Sequence, residues 1–251
     1  MTTVLVTRPE REAAQWVEAL RAAGWAAQVL PLIDIAPPAD ADALRRLQAR
    51  APDFHAWMFV SAQAVRRFIT PALSQAQPRC WAPGPGTAQA LLAAGVPQER
   101  IDQPAASAEQ FDSEALWQLV GRQVHPGHRL LIVRGQSAQG HTGRDWLELQ
   151  CRAAGGSVVE CIAYRRLPPV WDAAMRERVA AWAGGDAIWL FSSREGLQHL
   201  ADLCPGQSWS RARALVTHPR IQMTAQRMGF GEIITTRPAL DDVVQALKTH
   251  C

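Results

Sequence analysis

Two extended stretches, Pro31-Leu-Ile-Asp-Ile-Ala-Pro-Pro38 and Cys161-Ile-Ala-Tyr-Arg-Arg-Leu-Pro-Pro169, each end in a Pro-Pro pair. Two consecutive prolines fix two φ angles and remove two backbone donors, so each pair reads as a stiff extended spacer rather than the interior of an element. The pairs lie 131 positions apart, Pro37 to Pro168, and the same offset relates Ser61 to Ser192 and Gly24 to Gly155. One offset shared by several landmarks indicates duplication of a β/α array and therefore two similar lobes. A plain tandem duplication cuts the chain near residue 125. If the two spacers are crossings between lobes, the cut is different: residues 1–35 join 168–251 in one discontinuous lobe, and 38–163 form the other. The crossings, near 31–38 and 161–169, could then pair as a two-stranded antiparallel connector.

Short β-rich runs recur between amphipathic stretches: Val4–Val6, Ala27–Leu30, Ala56–Val60, Arg79–Ala82, Leu130–Val133, Ser157–Cys161, Ala187–Phe191, Ala212–Val216 and Glu232–Thr235. Runs such as Leu130-Leu-Ile-Val133 and Ala187-Ile-Trp-Leu-Phe191 are apolar on both faces, which suits strands covered by helices on two sides. Helical stretches close on glycine, as in Glu10–Ala23 before Gly24, Thr87–Ala94 before Gly95 and Asp145–Ala154 before Gly155. Strands alternating with helices specify an α/β fold, here two similar flavodoxin/Rossmann-like lobes with parallel sheets and an interleaved chain.

The 251 residues are 48% hydrophobic and 20% charged, enough apolar material for a packed core, which excludes disorder and a small stapled scaffold. Lys+Arg 26 against Asp+Glu 23 leaves +3, too little for a protein that wraps nucleic acid. Five scattered cysteines, Cys80, Cys151, Cys161, Cys204 and Cys251, form no Cys-x-x-Cys pair and read as reduced thiols. The opening Met-Thr-Thr-Val-Leu-Val-Thr-Arg-Pro has no basic region followed by an apolar stretch, and no apolar run approaches the roughly 20 residues that span a bilayer. The expectation is a cytoplasmic protein with no membrane partner. Ten Trp and six Phe stand beside a single tyrosine, Tyr164.

Seven polar residues fall where strands end by this reading: Thr7, Arg8, Ser61, Thr87, Arg134, Ser192 and His218. Open α/β sheets bind ligands outside the carboxyl ends of their strands, so these positions point to a cleft. Gly84-Pro85-Gly86-Thr87 leads from strand to helix and could cradle an anion on backbone N–H groups, or be an ordinary turn with Thr87 capping the helix. It matches neither a Rossmann fingerprint nor a P-loop. Ser61, Ser192 and Ser193 suit helix caps, and no nucleophile elbow surrounds them. Arg8, Arg134 and Arg220, with Arg165-Arg166 on the second spacer, offer planar forks for carboxylate or phosphate, although any one alone could be a solvated surface charge. The seven histidines, His218 among them, show no metal-ligand spacing, so no metal is expected. Asp241-Asp242 reads as the acidic start of the last helix.

Seven segments carry a resemblance: Leu5-Val-Thr-Arg-Pro9, Phe59-Val-Ser-Ala-Gln-Ala-Val65, Gly84-Pro-Gly-Thr-Ala88, Leu131-Ile-Val-Arg-Gly135, Tyr164-Arg-Arg166, Phe191-Ser-Ser-Arg-Glu-Gly-Leu197 and His218-Pro-Arg-Ile221. In this order, from end to end, they resemble the uroporphyrinogen-III synthases. The resemblance implies a monomeric, cofactor-free lyase of tetrapyrrole (porphyrin and haem) biosynthesis. It would close the linear tetrapyrrole hydroxymethylbilane, supplied by hydroxymethylbilane synthase upstream, with loss of water and inversion of the last ring through a spiro intermediate. The substrate's eight carboxylates would meet Thr7, Arg8, Ser61, Gly86, Thr87, Arg134, Ser192, Ser193, His218 and Arg220. Tyr164 occupies the place of a family tyrosine linked to activity and would assist water loss as general acid, or serve as an aromatic anchor of the connector.

Two other readings share these features. One is a non-catalytic bilobal binder of an anionic small molecule; the other is a regulatory module derived from the synthase fold.

Overall fold

The computed structural model describes residues 2–105, 112–143 and 145–250. Its strands, in chain order, are β1 (Thr3–Val6), β2 (Ala26–Val29), β3 (Asp34–Ala36), β4 (Ala56–Phe59), β5 (Arg79–Trp81), β6 (Ile101–Asp102), β7 (Arg129–Ser137), β8 (Ser157–Leu167), β9 (Ala187–Phe191), β10 (Arg213–Val216) and β11 (Glu232–Thr235). The chain divides into two compact units, Met1–Ile35 with Leu167–Cys251, and Ala36–Arg166.

In the discontinuous unit the sheet order is β11-β10-β9-β1-β2, all parallel. Its central strands are sealed on both faces: Val4, Leu5 and Val6 of β1 and all five residues of β9 have no exposure. That is why they read as unbroken apolar runs. The rims β2 and β11 are only partly buried. One face packs Trp189, Phe191, Trp209 and Phe230, with ring centroids 5.2 to 6.4 Å apart. The other face packs the helix Glu10–Ala22, through Ala13, Val17 and Leu20, and the helix Leu240–His250, through Val243 and Leu247.

The second sheet has the order β3-β8-β7-β4-β5-β6, with β8 through β6 parallel and β4 to β7 wholly in the second unit. Without β3 the two sheets are equivalent: β1, β2, β9, β10 and β11 correspond to β7, β8, β4, β5 and β6. Both have the flavodoxin-like 2-1-3-4-5 order, the second entered part-way round because the chain is interleaved. In this topology the strand order reverses between β1 and β9 in one sheet and between β7 and β4 in the other.

The apolar pattern misses β3 and β6, edge strands of three and two residues that have no room for a periodic signature. It also stops β7 and β8 too early, at Val133 and Cys161, whereas the ladder runs on to Ser137 and Arg166. All ten tryptophans lie in a core or pack against one. Cys80, Cys151 and Cys161 are buried and Cys204 is half-buried, all as free thiols; Cys251 lies outside the described residues. Among the described residues no helix is long and apolar enough to cross a membrane.

Candidate active site

In the 36–166 unit, β4 ends at Phe59 and Ser61 caps the helix Ala62–Phe68, its Oγ accepting from the Ala64 backbone N–H at 3.1 Å. The same Oγ lies 3.0 Å from the Tyr164 hydroxyl. Tyr164 reaches it from β8 because the β7–β8 ladder is bulged: Arg134 pairs with Ile162, but Gly135 pairs with Tyr164, leaving Ala163 as the extra residue. A bulge of this kind re-aims the side chain that follows it. The ring lies flat on Gly135, where an added Cβ would stand 2.3 Å from Cζ. Tyr164 is 4% exposed, so its ring is fixed by packing and its hydroxyl by Ser61.

Arg134 is not at a strand end. It lies within β7, its side chain 4% exposed, with Nη1 donating to Glu160 Oε1 at 2.8 Å and to Thr142 Oγ1 at 3.3 Å. Burial raises the Glu160 pKa against the opposing pull of Arg134, and a hydrogen bond with Glu148 raises it further. Glu148 in turn accepts from Arg152 Nη2 at 2.7 Å. Glu160, Thr142 and Gly135 are absent from the sequence-derived site. Glu160 lies 26 residues from Arg134, and no local pattern joins them.

Thr87 does not cap its helix. The helix Pro85–Ala93 is capped by Gly84 with Pro85 in the first position, which places Thr87 inside the first turn and buried. Proline is favoured at that position because its missing N–H would have no helical partner. Gly86 is exposed, and a Cβ added to it would meet no atom within 4 Å, so its backbone is open to approach.

In the discontinuous unit, Thr7 follows β1 and is buried; its hydroxyl donates to the Leu190 carbonyl at 2.7 Å, tying β1 to β9 where the strand order reverses. Ser193, rather than Ser192, caps the helix Arg194–Leu203, accepting from the Glu195 N–H at 3.1 Å. His218 caps the helix Pro219–Met228 through Nδ1, which accepts from the Arg220 N–H at 3.0 Å. An accepting Nδ1 places the proton of the neutral ring on Nε2, so an exposed donor points away from the cap. Arg220 is exposed in the first turn. Arg8 stacks on Trp16, its Cζ 4.2 Å from the ring centroid. Burial lowers its pKa while Glu12 opposes that shift, and its buried Nε makes no hydrogen bond among the described residues.

Each unit therefore presents capped helix starts just past the carboxyl ends of its strands, and one of them adds a buried phenol. A family model for uroporphyrinogen-III synthase HemD matches residues 14–245. The chain belongs to the uroporphyrinogen-III synthase family. It is 32% identical to the uroporphyrinogen-III synthase of Salmonella typhimurium over 96% of this chain and 98% of that one. It is 30% identical to the Escherichia coli K12 synthase over the same shares. Its fold is shared by uroporphyrinogen III synthase structures from Thermus thermophilus, with a TM-score of 0.60 at 15% identity over 99% of this chain and 98% of that one, and Helicobacter pylori 26695, with 0.61 at 13% over 99% of both. Within this synthase family chain, Tyr164 is the phenol whose hydroxyl meets Ser61 just past the end of β4.

Proposed function

We propose that the chain converts hydroxymethylbilane to uroporphyrinogen III, with Tyr164 protonating the leaving hydroxyl. The Ser61–Tyr164 pair at 3.0 Å carries this reading. Ser61 Oγ already accepts from Ala64; when it donates its own hydrogen to the phenol oxygen, the phenol O–H is left for the substrate. As the hydroxymethyl C–O bond breaks, the electron pair leaves with oxygen, the phenol proton turns it into water, and the pyrrole nitrogen lone pair fills the carbon. The substituted carbon of the last ring attacks to give the spiro intermediate, which opens and recloses inverted. The proton lost as that ring regains aromaticity restores the phenol. The reaction needs no cofactor.

The protein's larger task is to hold a flexible chain in the closing geometry, and such positioning can be worth about 7–11 kcal/mol of barrier. Arg8, His218 through Nε2, Arg220, and the first-turn backbone at Gly86 and Thr87 are the carboxylate contacts we assign. Thr7 and Ser193 hold the loops around them, as does Arg134 through its tie to Glu160; we place Ser192 beside Ser193 as a further substrate contact. We place the reaction in the cytoplasm, acting as a monomer on bilane released by hydroxymethylbilane synthase; the four free thiols among the described residues suit a reducing compartment.

The test is isomer analysis. Incubated with enzymatically generated hydroxymethylbilane, the protein should divert the spontaneous type I product to type III. Type I alone would overturn the reading.

A further inference from the structure

A cavity of about 350 Å³ opens within the 36–166 unit. Its volume falls at the small end of the range for ligand sites, about 300–1,000 Å³, too little for four linked pyrroles and suited to one ring. Met58 and Val60 from β4, Ile132 from β7 and Leu147 from the helix Trp146–Ala153 give it apolar walls, and Arg134 and Thr142 give it donors. That is the composition of a small-molecule site: mostly apolar surface with a few converging polar groups.

Its place in the fold is equally informative. Val60 and Arg134 line the cavity, and the next residues along the chain, Ser61 and Gly135, hold Tyr164. Alternation along a strand sends neighbouring side chains to opposite faces, so the cavity and the phenol share the β4–β7 switch point from its two sides. The charge is also suitable. Arg134 and Arg166 both line the cavity, while Asp112 spends Oδ1 on capping the helix Ser113–Val120. Glu148, the other acid in the lining, accepts from Arg152, and Glu160 accepts from Arg134.

We infer that this cavity receives one pyrrole ring of the substrate, its face against Met58, Val60, Ile132 and Leu147 and an acidic arm on the Arg134–Thr142 side. The inference rests on the tetrapyrrole reading above and deepens it. A ring anchored there fixes one point of an otherwise flexible bilane beside the strands that carry the proton donor.

The probe is porphobilinogen, a free monopyrrole with one acetate and one propionate arm, titrated into the full chain by calorimetry. The wild type should bind it. Leu147→Trp, which fills the cavity, should abolish binding, and Thr142→Val should weaken it about tenfold, the cost of one lost hydrogen bond to a charged group. Both variants are checked for a native melting transition; if Leu147→Trp does not fold, Thr142→Val and Val60→Phe decide. Both should also raise KM for bilane about tenfold or more. Undiminished porphobilinogen binding in the folded variants, or no binding by the wild type, overturns the cavity assignment even if type III product forms. A wild type that makes no type III product but binds porphobilinogen only while the cavity is open overturns the synthase reading and leaves the ring site standing.

Discussion

Gly135 and Tyr164 face each other across the bulged β7–β8 ladder so closely that a methyl group at 135 would overlap the phenol ring, 2.3 Å from Cζ. The glycine is needed for space at this position. Gly135→Ala should therefore displace the ring, lower the melting temperature and slow type III formation together. Tyr164→Ala placed on top should recover the melting temperature but not the rate. If Gly135→Ala is as stable and active as wild type, the ring does not need that bed.

Ser61 has two tasks, capping the helix Ala62–Phe68 and meeting the Tyr164 hydroxyl. Losing the cap in Ser61→Ala should cost about 0.5–2 kcal/mol of stability. Ser61→Thr keeps both hydrogen bonds and should restore stability and kcat. Because Ser61 acts through Tyr164, Ser61→Ala should add little to the kinetic defect of Tyr164→Phe. Two fully additive losses in kcat would mean the hydroxyls work independently.

Arg134 is almost wholly buried, and Glu160, about one-third exposed, is the partner that holds its charge. Glu160→Ala should destabilise the 36–166 unit by about 1–3 kcal/mol in denaturant unfolding, short of the cost for a fully buried pair. Glu160→Gln keeps an acceptor and should lose less. An unchanged midpoint in Glu160→Ala would show that the pair contributes nothing.

At the amino ends of β4 and β7, away from these groups, His128 stacks between His55, 5.0 Å off, and Trp81, 5.9 Å off, with His125 edge-on at 5.7 Å. Burial first, then His55 and His125, push its pKa below the ordinary value of 6.5. A histidine that is harder to protonate when folded contributes stability above its unfolded pKa, and that stability is lost as pH falls from there through the lower folded pKa. The melting temperature should fall as the pH drops below about 6.5, and that of His128→Phe should fall less over the same range. Equal slopes would remove His128 as a cause.

The parallel α/β class was legible because the inner strands β1, β4 and β9 are buried on both faces and carry unbroken apolar runs. The edge strands β3 and β6 were not, since two or three residues leave no period to read. Within the site, Ser61, Tyr164 and His218 stood out by residue type and place. The helix cap falls on Gly84 and not on Thr87 because the Gly-Pro-Gly run, which looks like loop, holds a proline that serves as the first helical residue. The burial of Arg134 was hidden because polar Gly135-Gln-Ser137 disguises the continuation of β7, and because Glu160 meets it only across the ladder.

Tyr164→Phe tests the proton-donor role most directly, since it removes one hydroxyl and leaves the ring on Gly135. Type III formation from hydroxymethylbilane is measured at saturating substrate, with the near-ultraviolet circular dichroism and melting temperature of the same samples as the check on folding. General-acid catalysis is worth about 10²–10⁴-fold, so kcat should fall by at least about a hundredfold while the fold is unchanged. Wild-type turnover by a folded Tyr164→Phe protein would contradict it.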